Sequence, residues 1–110
     1  MTEQAFFVLT VLTGGPRHGY GIMQEVDELS DGRVDLKVGT LYGVLDRLVE
    51  DGLVGPDRDE VHDGRLRRYY QITDAGGQVL WREARRHAAN ARIASDRLRA
   101  LRPSWEAGGA

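Results

Sequence analysis

The side chains best suited to binding a ligand lie in one segment near the middle of the sequence. Gly39, Thr40 and Tyr42 open a stretch of helical periodicity, and the cations Lys37 and Arg47 flank them. The N–H groups at the start of a helix favour an anion, and a nearby hydroxyl or ammonium group adds further donors. Residues of these types in this order indicate a phosphate ligand. For Tyr42, a role as a core aromatic residue is the alternative.

Two further cations, Arg65 and Arg67, follow the turn signal Asp63-Gly64. Both are suited to phosphate contacts, because a guanidinium group donates several hydrogen bonds in a fixed geometry. Arg68 is expected to face the sheet instead. A cationic turn beside a helix that accepts phosphate is typical of a protein that binds double-stranded DNA.

The residues needed for catalysis or for a metal site are poorly represented. The chain has no cysteine, and its three histidines, His18, His62 and His87, are scattered. Gly14-Gly15 is followed by Pro16 and lacks the lysine of a phosphate-binding loop. We therefore predict no enzyme activity, no cofactor and no metal site within one chain. Only a pair of His87 side chains in a dimer offers an alternative metal site.

Hydrophobic periodicity defines the elements that must position these residues. It predicts three short helices, over 4–13, 20–29 and 39–51. A strand at Leu53-Val54 and a second strand over 66–73 surround a polar stretch, 57–65, and predict a β-hairpin. Three helices and a hairpin in this order favour a mostly α winged helix-turn-helix fold. Its third helix would enter the major groove, and the hairpin tip would reach the DNA backbone or the minor groove.

A long helix is predicted over 74–102, with Thr73 or Asp74 as its N-cap. Small and apolar residues recur along it with the alternating spacing of a coiled-coil seam. The seam residues are Leu80, Ala84, His87, Ala91, Ala94, Leu98 and Leu101. The first half of this stripe can pack on its own domain, whereas the second half favours dimerisation. The sequence thus divides into a DNA-binding domain (1–73), a dimerisation helix (74–102) and a tail without fixed structure (103–110).

Charge is distributed unevenly along the 110 residues, whose formal net charge is −2. Residues 1–63 hold five Lys/Arg and 13 Asp/Glu, whereas residues 64–110 hold ten and four. The basic second part suits a nucleic-acid partner, and the acidic first part favours the alternative of a winged-helix adaptor that binds protein. The sequence shows no membrane span and no secretory signal, so we expect a cytoplasmic protein.

Several motifs, in order and at consistent spacing, resemble those of the PadR family of bacterial transcriptional regulators. The motifs are Pro16-Arg17-His18-Gly19-Tyr20-Gly21-Ile22, Gly39-Thr40-Leu41-Tyr42, Leu45-Asp46-Arg47-Leu48, Gly52-Leu53-Val54 and Arg68-Tyr69-Tyr70-Gln71-Ile72-Thr73-Asp74-Ala75-Gly76. The resemblance covers residues 5 to about 80 closely, and the final helix resembles the shorter subgroup with one C-terminal helix. The sequence departs from the family at Gly43, where proline is usual, and at Val38. The acidic Asp46 and Glu50 would repel phosphate, and we expect them to hold Arg47 in local ion pairs.

The resemblance implies a homodimeric repressor that binds an inverted-repeat operator. It also implies a DNA-backbone contact at Tyr20, for which a packing role is the alternative. Some family members admit planar aromatic effectors near the dimer interface, so Trp81 is a candidate effector-binding residue; an interface or core role is its alternative.

Overall fold

The computed structural model describes residues 1–101, which fold into four helices and three short strands. The helices are α1 (Glu3–Leu12), α2 (Gly19–Leu29), α3 (Val38–Glu50) and α4 (Asp74–Leu101). The strands are β1 (Arg17–His18), β2 (Val54–His62) and β3 (Arg65–Ile72). This arrangement confirms the predicted winged helix-turn-helix with a long C-terminal helix. The predicted tail, 103–110, lies outside the described residues.

The chain contains two compact units, one spanning Met1–Leu80 and one beginning at Trp81. The core of the first unit is formed by apolar residues of α1, α2 and α3 together with Val54 and Tyr70 of the sheet. In α3, Leu41 and Leu45 are fully buried and Leu48 is nearly so. Their spacing places them on one face of the helix, and each contributes about 1.5–3 kcal/mol of stabilisation by leaving water. The opposite face of α3 is thereby directed outward.

The three strands form an antiparallel sheet in the order β1-β3-β2. The β2–β3 hairpin turns at Asp63 and Gly64, whose φ angles of 51° and 75° fit a type I′ turn. The stretch predicted as the polar tip is largely strand, because β2 continues to His62 beyond an irregularity between Pro56 and Asp59. The strand β1 was not predicted from the sequence, because two residues are too few to show the alternation of polar and apolar side chains that identifies a strand.

The start of α4 is fixed against the residues that directly precede β2. Thr73 Oγ1 accepts a hydrogen bond from the Gly76 N–H at 3.0 Å and donates one to the Gly52 carbonyl at 2.7 Å. A Cβ atom on Gly76 would lie 2.1 Å from the Leu53 carbonyl oxygen. Thr73 therefore caps the helix as predicted, and only glycine fits at position 76.

From Trp81 to Leu101, the second unit is a single stretch of helix. All its side chains up to Leu101 are exposed except that of Glu83, which is half-buried. Its large apolar residues include Trp81 (64% exposed), Ile93 (61%) and Leu101 (72%). None of the helices within residues 1–101 is long and apolar enough to cross a membrane.

Candidate nucleic-acid interface

The N-terminus of α3 leaves its backbone donors available. Lys37 occupies the N-cap position but makes no side-chain capping bond, and its Nζ lies 2.9 Å from Asp35 Oδ2. Thr2 and His18, by contrast, cap α1 and α2 with side-chain acceptors. The first N–H groups of a helix have no intrahelical partner. Because Gly39 and Thr40 are exposed there, an anion can approach these groups.

Tyr42 combines packing with exposure. A Cβ atom on the buried Gly19 would lie 2.7 Å from the Tyr42 hydroxyl oxygen, so the phenol ring reaches the first residue of α2. The residue nevertheless remains 43% exposed. Tyr42 thus fixes α3 against α2 while one edge of its ring faces solvent, which accommodates both roles considered for it. Gly19 is required by this close approach.

Arg47 and Gly43 lie on the outer part of α3. The Arg47 guanidinium lies 3.9 Å from Asp51 Oδ2, so the nearest carboxylate belongs to neither Asp46 nor Glu50. An exposed pair at this distance contributes little, and Arg47 stays available for an external anion. A Cβ atom on Gly43 would meet nothing within 4 Å. Packing within the protein therefore gives no reason for glycine at position 43.

The β2–β3 hairpin, which is the wing, contains arginines that are paired with a carboxylate and arginines that are not. Arg58 binds Asp57 at 2.6 Å and Glu60 at 2.7 Å, and Arg68 lies 3.4 Å from Asp59. Within residues 1–101, neither Arg65 nor Arg67 forms an ion pair. The structure therefore leaves the two arginines predicted to bind phosphate as uncompensated cations of the wing.

His18 makes contacts with α2 and β3 that sequence reasoning missed. Its Nδ1 accepts a hydrogen bond from the Gly21 N–H at 3.3 Å, and its Nε2 lies 3.3 Å from Arg67 Nη1. The ring packs edge-on against Tyr69, with centroids 5.3 Å apart. Burial, followed by the nearby charge of Arg67, lowers the pKa of His18. The pairing of β1 with β3 brings these residues together from 49 positions apart, which no local motif signals.

The predicted seam residues differ in their surroundings. Leu80 is half-buried and packs against the core of the first unit, whereas the burial expected for the other members of the first half of the stripe is not observed. The remaining members, Ala84, His87, Ala91, Ala94, Leu98 and Leu101, are exposed. His87 Nε2 lies 3.2 Å from Glu83 Oε1. The exposed Trp81 ring has the Arg85 guanidinium 5.8 Å from its centroid, a cation–π distance.

Tyr20, the remaining predicted contact, lies in the first turn of α2 and is 59% exposed. Its hydroxyl accepts a hydrogen bond from Gln24 Nε2 at 3.3 Å. Three helices followed by a β-hairpin, with an uncapped and exposed start of the third helix, form a winged helix-turn-helix arrangement. The molecule is therefore of this class.

The chain belongs to the PadR-like family of transcriptional regulators, whose family model matches residues 8–82. The resemblance found in the sequence is thus confirmed. The family is one of transcriptional regulators and not of enzymes. The transcriptional regulator Rv3488 of Mycobacterium tuberculosis is 41% identical over 68 residues, which are 62% of this chain and 60% of that protein. The chain thus spans about three fifths of that relative's length.

Two solved structures illustrate the shared fold. A PadR family transcription regulator from Clostridium difficile matches with a TM-score of 0.76 and 22% identity, covering 88% of this chain and 99% of that one. Bacillus subtilis PadR in complex with operator DNA matches with a TM-score of 0.65 and 23% identity, covering 73% of this chain and 45% of that one. At these identities the similarity establishes the fold alone.

Proposed function

We propose that this regulator is a homodimeric repressor that binds double-stranded DNA at an inverted-repeat operator. The observation that carries the proposal concerns the β2–β3 hairpin: among residues 1–101, no carboxylate pairs with Arg65 or Arg67, although residues 1–63 are strongly acidic. Cations left uncompensated in an acidic unit favour an external polyanion. The solved complex of Bacillus subtilis PadR with operator DNA supports this assignment.

In this proposal α3 is the recognition helix. Gly39, Thr40 and Tyr42 approach the major groove with the first turn, and Lys37 and Arg47 bind phosphates on either side. Tyr20 contacts the backbone from the start of α2, and Arg65 and Arg67 do so from the wing. The cationic contacts supply affinity and orientation, whereas the few groove contacts select the sequence.

The second unit is the dimerisation element. Its apolar residues Leu98 (39% exposed) and Leu101 (72% exposed) lie on the seam, and Ala84, Ala91 and Ala94 allow a second helix to approach closely. An α4 helix paired with its copy would cover this seam. A two-fold dimer would set two α3 helices about one DNA turn apart, which requires an inverted repeat.

A small aromatic effector would regulate the repressor from the second unit. Trp81 offers an exposed indole face for stacking, and Arg85 lies beside it. Such a ligand lowers operator affinity only if it binds the DNA-free arrangement of the dimer more tightly. Tryptophan fluorescence, with Trp81→Phe as the comparison, detects this binding directly.

Salt dependence of binding to the DNA upstream of the protein's own gene tests the proposal. Affinity should fall steeply between about 50 and 200 mM salt, because each neutralised phosphate releases a counterion. Arg65→Ala and Arg67→Ala should each reduce the slope of log affinity against log salt concentration by about one. Each should also lower the affinity for all DNA sequences alike. Arg68→Ala is the matched control, because Arg68 is already paired with Asp59. Absence of binding at low salt would contradict the repressor assignment.

A protein-binding adaptor is the second candidate. Asp46 and Glu50 extend the outward face of α3 with negative charge, which suits a cationic protein better than DNA. An adaptor would bind no DNA at low salt, so the same titration separates the two functions.

A further inference from the structure

The environment of His18 contains a hydrogen-bonding mismatch. The Gly21 N–H points at Nδ1 and the Arg67 guanidinium at Nε2, each at 3.3 Å. A neutral imidazole has one accepting nitrogen and one N–H, and the protonated ring has no acceptor at all. In every protonation state, at least one nitrogen of His18 therefore presents a hydrogen to another donor.

Arg67 faces His18 because its cross-strand partner is already occupied. Glu60 lies opposite Arg67 in the β2–β3 register. Its carboxylate accepts from Arg58 at 2.7 Å and also bonds Tyr69. Arg67 thus has no acidic partner within residues 1–101, and its guanidinium is left against the ring of His18.

An acceptor placed beside both groups removes the mismatch. His18 would then keep Nδ1 as the acceptor for Gly21 and carry its hydrogen on Nε2, and Arg67 would donate to the same external oxygen. Both residues are only half-buried, so the position is open to solvent. The groups that face the ring are Arg67 and Tyr69 of β3 and Glu60 and His62 of β2. The one carboxylate among them is bound by Arg58 and Tyr69, which limits its repulsion of an anion.

We propose that His18 Nε2 and the Arg67 guanidinium together bind one phosphate oxygen of the DNA backbone. This inference rests on the proposed function, and it adds a phosphate ligand on β1 to those on α3 and the wing. His18 would act in its neutral, Nε2-protonated form, with its orientation fixed by the bond from Gly21.

A matched pair of substitutions separates the two nitrogens of His18. Asparagine can place its Oδ1 where Nδ1 lies and so keep the cap of α2, but it cannot reach the position of Nε2. Glutamine can place its amide N–H where Nε2–H lies, but it gives up the cap. His18→Asn should therefore preserve the unfolding temperature and lose DNA affinity. His18→Gln should lower the unfolding temperature and preserve DNA affinity.

The loss expected for His18→Asn is about 10- to 100-fold in operator affinity, the value of one hydrogen bond to a charged group. The salt dependence should keep its wild-type slope, because a neutral donor is removed. Arg67→Ala should instead reduce that slope by about one. Wild-type affinity for both His18 variants would overturn the inference. Absence of DNA binding by the wild type would contradict the proposed function itself.

Imidazole ¹⁵N NMR supplies a readout that a purely structural role would not change. In the operator complex the His18 ring should be protonated at Nε2, with Nδ1 accepting from Gly21, and the Nε2 signal should shift from its position in the free protein. An Nδ1-protonated ring in the complex would contradict the contact. Inorganic phosphate at matched ionic strength should leave the His18 signals of the free protein in place, because nothing else positions it there. A full shift with inorganic phosphate alone would overturn the assignment to the DNA backbone.

Discussion

The two units of this regulator contrast in how their apolar side chains are accommodated. In the unit Met1–Leu80, α3 buries Leu41 and Leu45 completely within the chain's own core. In the unit beginning at Trp81, the seam residues Leu98 and Leu101 remain 39% and 72% exposed. The first unit therefore obtains its stability from intrachain packing. The second retains apolar surface whose burial requires another molecule, which we propose to be a second copy.

The sharpest test of this contrast is Leu98→Asp. If two α4 helices pair along the seam, the substitution removes two buried leucines worth about 3–6 kcal/mol together and opposes two carboxylates. Sedimentation should then show monomers. Ile93→Asp, at an exposed position outside the seam, is the control and should remain dimeric. A dimeric mass for Leu98→Asp would contradict the seam.

Leu45→Ala tests the other side of the contrast. Because Leu45 is fully buried, the substitution should lower the free energy of unfolding by about 2–5 kcal/mol in urea titrations. Ile93→Ala should change it by about 0.5 kcal/mol or less. Equal losses would mean that the two units are stabilised in the same way. Protein concentration must be held constant, because dimer formation contributes to stability.

Two helical glycines should respond with opposite signs. Gly76→Ala forces a Cβ atom against the Leu53 carbonyl oxygen and should destabilise the first unit by about 1–3 kcal/mol. Gly43→Ala adds a methyl group that meets nothing within 4 Å and should stabilise by about 1 kcal/mol. Thermal unfolding measures both. If Gly43→Ala also weakens operator binding, the glycine serves close approach of α3 to DNA, and unchanged affinity would contradict that role.

The smallest effect concerns pH. Burial and Arg67 lower the pKa of His18 in the folded chain, so the unfolded chain binds more protons below about pH 6.5. Stability contributed by His18 is therefore complete above that pH and is lost as the pH falls toward the folded pKa. His18→Asn should flatten this part of the pH dependence of the unfolding temperature. His62→Gln, which retains His18, should leave it in place.

Much of the fold could be predicted because it depends on local patterns. The spacing of Leu41, Leu45 and Leu48 predicts α3, and the observed bounds lie within one residue of those predicted. Asp63-Gly64 gives the hairpin turn, and Thr73 the cap of α4. The full length of β2 was not predicted, because most of this strand is exposed and polar. It therefore lacks the alternation of polar and apolar residues that identifies a half-buried strand.

Less of the candidate site could be predicted. The sequence identified Arg65 and Arg67 as cations, but the ion pair of Arg68 with Asp59 depends on the register of β2 and β3. Arg58, by contrast, pairs with Asp57 and Glu60 of its own strand. Acidic neighbours in sequence suggested Asp46 and Glu50 as partners of Arg47, whereas helical spacing places Asp51 nearest. Which carboxylate lies nearest to Arg68 and to Arg47 thus depends on strand register and helical spacing, and not on which residues are adjacent in the sequence.

The sequence by itself determined the three short helices, the hairpin turn, the long helix α4 and the family. Each of these depends on residue types at fixed short spacings, which backbone periodicity converts directly into structure. Only the tertiary structure decided that β1 pairs with β3, that His18 meets Arg67, and that Gly76 lies against Leu53. These contacts join distant segments, and their geometry follows from strand register and packing, which no local pattern encodes.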